Sequence, residues 1–86
     1  MPADNRWTII VAGGEGDTAT VILGRHAHVR QLRHEGVHVL YGTHVNPDAY
    51  DVLIDGVVAN LEASLEDAGL FDGAEVTILP KDVSRG

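Results

Sequence analysis

The first third of the chain contains two stretches whose residue pattern is typical of β-strands. Residues 7–12 (WTIIVA) and 18–23 (TATVIL) are rich in β-branched side chains, and GGEGD separates them. In the second stretch Ala19, Val21 and Leu23 share one face, as expected of a strand with a single buried face. The pattern predicts an antiparallel hairpin closed by a glycine-rich loop.

From Arg25 the spacing of apolar residues changes to that of a helix. The stripe near this spacing contains Val29, Leu32, Gly36, Val39 and Leu40. The polar residues that lie mostly off the stripe are Arg30, Arg33, His34 and Glu35. The pattern predicts one helix that ends by Gly42. Glycine is less favourable than alanine in a helix interior by about 1 kcal/mol, so Gly36 indicates either a bend or a strand that approaches closely.

Turn signals divide the second half of the chain into short elements. The expected elements are a turn at 46–48, a strand at 50–54, a turn at 55–56, a short strand at 57–59, one helical turn at 64–70, a turn at 72–73 and a last strand at 75–79. Alternation in the last strand directs Val76 and Ile78 to the core. The order of elements predicts an α+β fold, in which one helix packs on one face of a largely antiparallel sheet.

Composition and charge narrow the classes of function. The 86 residues suffice for one domain, and the absence of cysteine excludes disulfides, thiolate metal sites and covalent catalysis by sulfur from this chain. A formal net charge of −7 argues against nucleic-acid binding, which needs a basic surface. No apolar run approaches the ~20 residues of a membrane span, and residues 1–6 lack the pattern of a signal peptide, so we expect a cytoplasmic protein without membrane contact.

Three stretches of the sequence carry a family resemblance. YDVLIDG, LEDAGLFDGAEVTIL and the terminal SRG, in the order of elements above, resemble the ubiquitin-like β-grasp family, and in particular the ubiquitin-like modifiers of bacterial conjugation operons. The resemblance spans the chain from Trp7 to Gly86. It implies a mixed sheet of four to five strands with one helix on one face, and a last strand that lies inside the sheet, parallel to the first. The expected domain boundaries are a disordered lead at 1–6, the β-grasp domain at 7–80 and a flexible tail at 81–86.

The resemblance also implies that the tail is the reactive part of the molecule. In such modifiers an activating enzyme adenylates the C-terminal carboxylate with ATP, a conjugating enzyme helps to pass it to an amine of a target protein, and a deconjugating peptidase reverses the step. Gly86 would be the conjugation terminus, with Ser84 and Arg85 beside it, and the modifier itself would need no cofactor. Extended residues 80–86 reach about 23 Å at about 3.3 Å per residue, and glycine has no Cβ to obstruct a narrow channel.

The tail departs from the ubiquitin pattern in two respects. Ubiquitin and the sulfur carriers end in two glycines, whereas Ser84 and Arg85 precede a single glycine here. Pro80 and the polar pair Lys81-Asp82 replace arginine and leucine positions, so tail recognition would be specific to its own enzymes. Three explanations of the single glycine stay open. One glycine suffices for this chain, the chain has been cut, or a peptidase trims a longer natural chain. Two other functions stay open: a sulfur carrier with a C-terminal thiocarboxylate, and a β-grasp adaptor that only binds.

The resemblance further implies a surface for protein partners. Matching YDVLIDG to the third strand of ubiquitin puts Val52 and Ile54 inward and Leu53 outward, near Thr77 and Leu79. These last three residues are the candidate partner-binding patch, although single exposed leucines are ordinary on protein surfaces.

The only lysine of the chain lies in the tail. If the modifier is itself modified, Lys81 and the N-terminus are the acceptor amines available. We therefore expect single modification of targets, by a monomer.

Other groups of polar residues favour plain structural roles. His34 and His38 are four residues apart on the expected helix, but no further zinc ligand is evident, so we expect exposed histidines and no metal site. The glycine-rich loop joins two strands, and its Glu15 and Asp17 would repel a phosphate. A solvated acidic face that suits a basic partner is expected from Glu62, Glu66, Asp67, Asp72 and Glu75.

Overall fold

The computed structural model describes residues 5–85, and its elements follow the predicted order. They are β1 (Arg6–Ala12), β2 (Thr18–Gly24), α1 (Val29–Tyr41), a 3₁₀ turn (Pro47–Ala49), β3 (Tyr50–Ile54), β4 (Val57–Val58), β5 (Glu75–Pro80) and α2 (Lys81–Ser84). The helical turn expected at 64–70 is present, since the Ala68 amide donates to the Ser64 carbonyl at 2.9 Å. Neither helix in residues 5–85 has the length and apolar composition that a membrane crossing needs.

The five strands form one mixed sheet in the order β2-β1-β5-β3-β4. β5 lies at its centre, parallel to β1 and antiparallel to β3. The prediction of a last strand inside the sheet is therefore confirmed. The β3–β4 connection is the predicted tight turn, because Asp55 and Gly56 both have positive φ, at 53° and 80°.

The core lies between the sheet and α1. Val76 and Ile78 are 1% and 0% exposed, so the predicted inward face of the last strand is confirmed. A Cβ at Gly36 would collide with Cδ1 of Ile78 and lie 3.4 Å from Cγ1 of Val11. The glycine in α1 is thus explained by the close approach of β5.

The buried stripe of α1 differs from the predicted one. Val39 is 53% exposed, whereas Val37 is fully buried and Arg33, predicted to lie off the stripe, is only 3% exposed. Val37 and Val39 lie about 80° to either side of Val29 at 3.6 residues per turn, so spacing alone does not choose between them. The sheet lies on the side of Val37 and Arg33, and this packing decides which positions are buried.

The ends of α1 are fixed by contacts with other segments. The helix begins at Val29 rather than near Arg25. The first amides of a helix have no partner within it, and the side chain of His28 does not cap them. Instead, the amides of Val29 and Arg30 donate to the carbonyls of Ala63 and Leu61 at 2.9 and 3.0 Å. These bonds connect the start of α1 to the loop that precedes β5.

Candidate protein-binding face and C-terminal tail

The sheet face opposite α1 carries the three residues predicted to bind partners. In the register of β3 and β5, Leu53 lies opposite Thr77, and Leu79 lies one pair further along, opposite Asp51. All three patch residues are half-buried. We call Leu53, Thr77 and Leu79 the outer-face patch; the structure brings them together on neighbouring strands, where they form a small, partly apolar surface.

The inward positions of β3 agree in part with the prediction. Val52 is fully buried, and Ile54 is half-buried at the end of the strand. Leu53, between them, has the opposite orientation, as alternation requires.

A groove lies between the glycine-rich loop and the C-terminal end of β5. It has a volume of about 500 Å³, and its lining residues are Gly13, Gly14, Glu15, Asp17, Tyr41, Leu79, Pro80 and Val83. We call it the terminal groove. The glycine-rich loop packs tightly here, since a Cβ at Gly14 would lie 2.9 Å from Cδ2 of Leu79. The groove therefore joins one patch residue to the tail, with two carboxylates at its margin.

Tyr41 anchors the end of α1 beside this groove. Its hydroxyl donates to the Ile78 carbonyl at 2.8 Å, and its ring stacks on Tyr50 with centroids 4.7 Å apart. Burial of the ring raises the pKa of the Tyr41 hydroxyl, with smaller contributions from Tyr50 and the loop carboxylates Asp17 and Glu15. Tyr41 thus stays a neutral donor that joins α1 to the central strand.

The tail was expected to extend freely from Pro80, and the structure instead folds its described part into one helical turn. Lys81–Ser84 forms α2, and the Arg85 amide donates to the Lys81 carbonyl at 2.9 Å. Pro80 has no amide hydrogen and cannot continue the β-ladder as a donor, so the chain leaves the sheet there. Gly86, the predicted conjugation terminus, lies outside the described residues.

Two predicted site residues, Ser84 and Arg85, meet at Asp51 of β3. Arg85 donates from Nε to Oδ2 at 2.7 Å and from Nη2 to Oδ1 at 2.9 Å, while the Ser84 hydroxyl donates to Oδ2 at 2.7 Å. The Asp51 side chain is 2% exposed and that of Arg85 is 59% exposed. A two-bond guanidinium–carboxylate contact is both strong and geometrically specific. The tail therefore rests on the open face of the sheet.

Hydrogen bonds from the tail lower the pKa of the Asp51 carboxyl below its ordinary value of 3.8. Arg85 is the main cause, and burial opposes it, while the Ser84 hydroxyl and the positive charge of Lys81 assist. The same pair raises the pKa of Arg85. Asp51 is thus ionised wherever the tail is docked at ordinary pH.

Asp51 was not predicted from the sequence as a site residue. An aspartate in a strand is normally exposed to solvent, so nothing in the local pattern indicates that Asp51 is buried. Its partner Arg85 is 34 positions away in the sequence. The signal that would have found it is the β3–β5 register, in which Tyr50 pairs with Pro80 and so places the next residue of β3 at the root of the tail.

Lys81 and the N-terminus were the expected acceptor amines. Lys81 is half-buried at the start of α2, and residues 1–4, with the N-terminus, lie outside the described residues. The positive charge of Lys81 acts on Asp51, which lies opposite the patch residue Leu79.

The histidines and the acidic run lie at the surface, with His38 half-buried. The rings of His34 and His38 lie 4.3 Å apart, and among residues 5–85 no group of three histidine, aspartate or glutamate side chains is arranged to hold a metal ion. Of the acidic run, Glu62 and Glu66 pair with Arg30 and Arg25. The glycine-rich loop joins β1 to β2, as predicted.

Comparisons with known proteins show likeness in structure. No family model matches the sequence, and no curated protein matches it. A ubiquitin of Caldiarchaeum subterraneum is similar with a TM-score of 0.75 and 18% identity, over 87% of this chain and 92% of that one. The ubiquitin-like domain of Dsk2 from Plasmodium falciparum is similar with a TM-score of 0.75 and 16% identity, over 87% of this chain and 97% of that one. The N-terminal ubiquitin-like domain of the 4931431F19Rik protein is similar with a TM-score of 0.74 and 20% identity, over 91% of this chain and 77% of that one.

These likenesses agree with the strand order and the single covering helix described above. At such identities they establish architecture rather than activity. The chain has the ubiquitin-like β-grasp fold.

Proposed function

We propose that this chain is a ubiquitin-like protein modifier of the kind found in bacterial conjugation operons, and that the carboxylate of Gly86 is its reactive end. A partner activating enzyme adenylates this carboxylate with ATP and releases pyrophosphate, and AMP then leaves as a cysteine of that enzyme attacks the carbonyl and forms a thioester. A conjugating enzyme passes the modifier to a target amine, and a deconjugating peptidase removes it. The modifier contributes no catalytic residue, and it acts in the cytoplasm as a monomer.

The observation that supports this proposal best is how the tail is joined to the fold. Ile78 is fully buried in the central strand, yet no residue of α2, which begins three positions later, is buried. The tail can therefore move away without opening the core. A reactive end on a firmly anchored strand is what an enzyme needs in order to draw the terminus into its own active site.

The test is adduct formation with a candidate activating enzyme and ATP. We expect the intact chain to give a covalent species on a denaturing gel without reductant, and a thiol reductant to release it. Deletion of Gly86 should abolish the species. Asp82→Asn is a suitable control, because it changes an exposed tail residue without shortening the tail. The proposal is wrong if the intact chain gives no adduct, or if removing Gly86 leaves adduct formation unchanged.

A sulfur carrier would begin with the same adenylate as a modifier. The final product distinguishes the two functions. The intact mass of the chain isolated from cells would show one oxygen of the terminal carboxylate replaced by sulfur. A modifier would instead be recovered as a covalent conjugate with a second protein.

A binding role without conjugation is the second candidate, and the outer-face patch beside the terminal groove favours it. Leu79 belongs to both surfaces, and the groove lining includes Val83, which is 62% exposed. For an adaptor, replacing Leu53 and Leu79 with serine would abolish partner binding while deletion of Gly86 would have no effect. For a modifier, deletion of Gly86 removes the covalent product.

A further inference from the structure

Asp51 lies on a sheet face that would be open to solvent without the tail. The next residue of β3, Val52, is fully buried on the face that α1 covers. Neighbouring residues of a strand point to opposite faces, so the Asp51 carboxylate is on the face away from α1. It is nevertheless 1% exposed. The groups that donate to it come from residues 84 and 85 of the tail.

This arrangement can open at little cost. A carboxylate buried inside a core is strongly destabilising when its partner leaves, because the charge stays away from water. Asp51 differs, since departure of the tail returns its carboxylate to solvent on the open face. Arg85 is already 59% exposed. Hydration would therefore offset part of the lost contact, so undocking should cost less than breaking an ion pair inside a core.

We propose that Asp51 is a docking site for the chain's own tail, and that it holds the tail in a closed state that an activating enzyme cannot use. This inference rests on the proposed function, in which Gly86 is the reactive end. With Arg85 docked, one residue remains beyond the contact, about 3.3 Å of reach, against about 23 Å for a free tail from Pro80. Release of Arg85 from Asp51 then precedes entry of the terminus into the enzyme.

The first test measures the tail in the isolated chain, by ¹⁵N relaxation of the backbone amides. In the unmodified protein we expect residues 81–85 to be ordered, with order parameters approaching ~0.85, and Asp51→Asn to lower them toward ~0.6 or less. Asp55→Asn is the matched control. It removes the same charge just past the end of β3 that lies away from Pro80, so the tail should stay ordered.

A second variant keeps the test independent of how well β3 tolerates substitution. Arg85→Met removes the guanidinium from the tail and leaves the sheet unchanged, so it too should free residues 81–85. If neither Asp51→Asn nor Arg85→Met changes the order parameters of these residues, the docking site is refuted, whatever the function of the chain.

The second test measures the rate of adduct formation with the activating enzyme. A tail docked for about 70–90% of the time lowers the apparent affinity about 3- to 10-fold, so Asp51→Asn should raise kcat/KM by that factor while Asp55→Asn leaves it unchanged. If Asp51→Asn frees the tail but the rate does not rise, the closed state does not control access, and the inference is overturned. If the tail is freed and no variant forms an adduct, the docking site stands and the proposed function fails.

Discussion

Asp51 illustrates how one side chain can belong either to the core or to the surface of the same fold. Its carboxylate is ionised and buried because Arg85 and Ser84 supply three hydrogen bonds. Without the tail, it is an ordinary aspartate on the outside of a sheet. The protonation state of this one residue should therefore control where the tail lies.

Acid should release the tail. Docking lowers the pKa of Asp51 below 3.8, so the stabilisation from docking is fully present above this value and is lost as the pH falls through the lower pKa of the docked state. The groups that act on the carboxylate are Arg85, Ser84 and Lys81. We expect the order parameters of residues 81–85 to fall in acid.

Trp7 fluorescence, followed in the same titration, controls for unfolding of the whole domain. The expectation fails if the tail stays fully ordered at every acidic pH at which the domain remains folded. It also fails if the tail is released near the ordinary histidine pKa of about 6.5, because Asp51 would then not be the group responsible.

Gly36 is the residue where α1 and β5 approach most closely. Gly36→Ala gains about 1 kcal/mol of helix propensity but forces a methyl group against the fully buried Ile78, and such overpacking typically costs about 1–3 kcal/mol. We expect a net loss of about 1 kcal/mol in the free energy of unfolding, measured by urea denaturation. Gly24→Ala is the control, since a Cβ there meets nothing within 4 Å. Equal stability of the two variants would contradict this account of the glycine.

At the scale of elements, a buried arginine joins α1 to the 3₁₀ turn that leads into β3. Arg33 donates from Nη2 to Oδ1 of Asp48 at 2.8 Å and from Nη1 to the Tyr50 carbonyl at 3.3 Å. Its Nε is buried and has no partner among the described residues. Asp48 is largely exposed, so the pair connects a buried cation to the surface.

Removal of one partner of this pair should cost more than replacement of the arginine. Asp48→Ala leaves a buried guanidinium without its anion, and we expect a loss of about 1–2 kcal/mol in the free energy of unfolding. Arg33→Met places an apolar side chain of similar length in the same site and should cost less. In the Arg33→Met background, Asp48→Ala should have almost no effect. Equal effects of Asp48→Ala in both backgrounds, measured in urea, would show that the two residues are not coupled.

The elements that could be predicted are those that local pattern determines. β1, β2 and β5 follow from alternation and turn residues, and the parallel central strand follows from the resemblance. The choice between Val37 and Val39 needs the position of the sheet. The burial of Arg33 and Asp51 was missed because it depends on residues distant in the sequence. Arg33 packs against the sheet and pairs with Asp48, 15 positions away, and Asp51 is bonded by Arg85, 34 positions away.

The candidate site also has one part that could be predicted from the sequence and one part that could not. Alternation places Thr77 and Leu79 on one face, the resemblance to the third strand of ubiquitin adds Leu53, and the register shows that the three lie close together. That they bind a partner stays a prediction. The tail was expected to be free because the resemblance implies a reactive end, and only three-dimensional pairing shows that Ser84 and Arg85 bond to Asp51.

At the scale of the whole molecule, one face of the sheet carries the structural role and the other carries the candidate functions. α1 covers the core side, while the outer-face patch and the docked tail share the opposite side, with the terminal groove at its end. The formal charge of −7 suits a basic partner, whose approach would be accelerated at low salt. Salt therefore acts on two steps, partner encounter and tail release.

These two effects of salt oppose each other and can be separated. Screening shortens the electrostatic range from about 10 Å at 0.1 M to about 3 Å at 1 M, so encounter with a basic activating enzyme slows. Screening also weakens the half-exposed Arg85–Asp51 contact and frees the tail. The rate for Asp51→Asn, whose tail is already free, should fall steeply with salt, whereas the rate for the unmodified chain should fall less. We expect the ratio of the two rates to decline from about 3–10 at low salt toward one.

Adduct formation at several salt concentrations measures this ratio, with Asp55→Asn following the unmodified chain throughout as the charge-matched control. A ratio of the two rates that stays constant would mean that salt does not weaken the Arg85–Asp51 contact. A ratio that rises would mean that the lost carboxylate itself takes part in the encounter, because its removal slows the encounter most at low salt and matters less as screening increases. Only a decline toward one agrees with a tail held by an ion pair at the surface and with a partner drawn by the charge of the whole molecule.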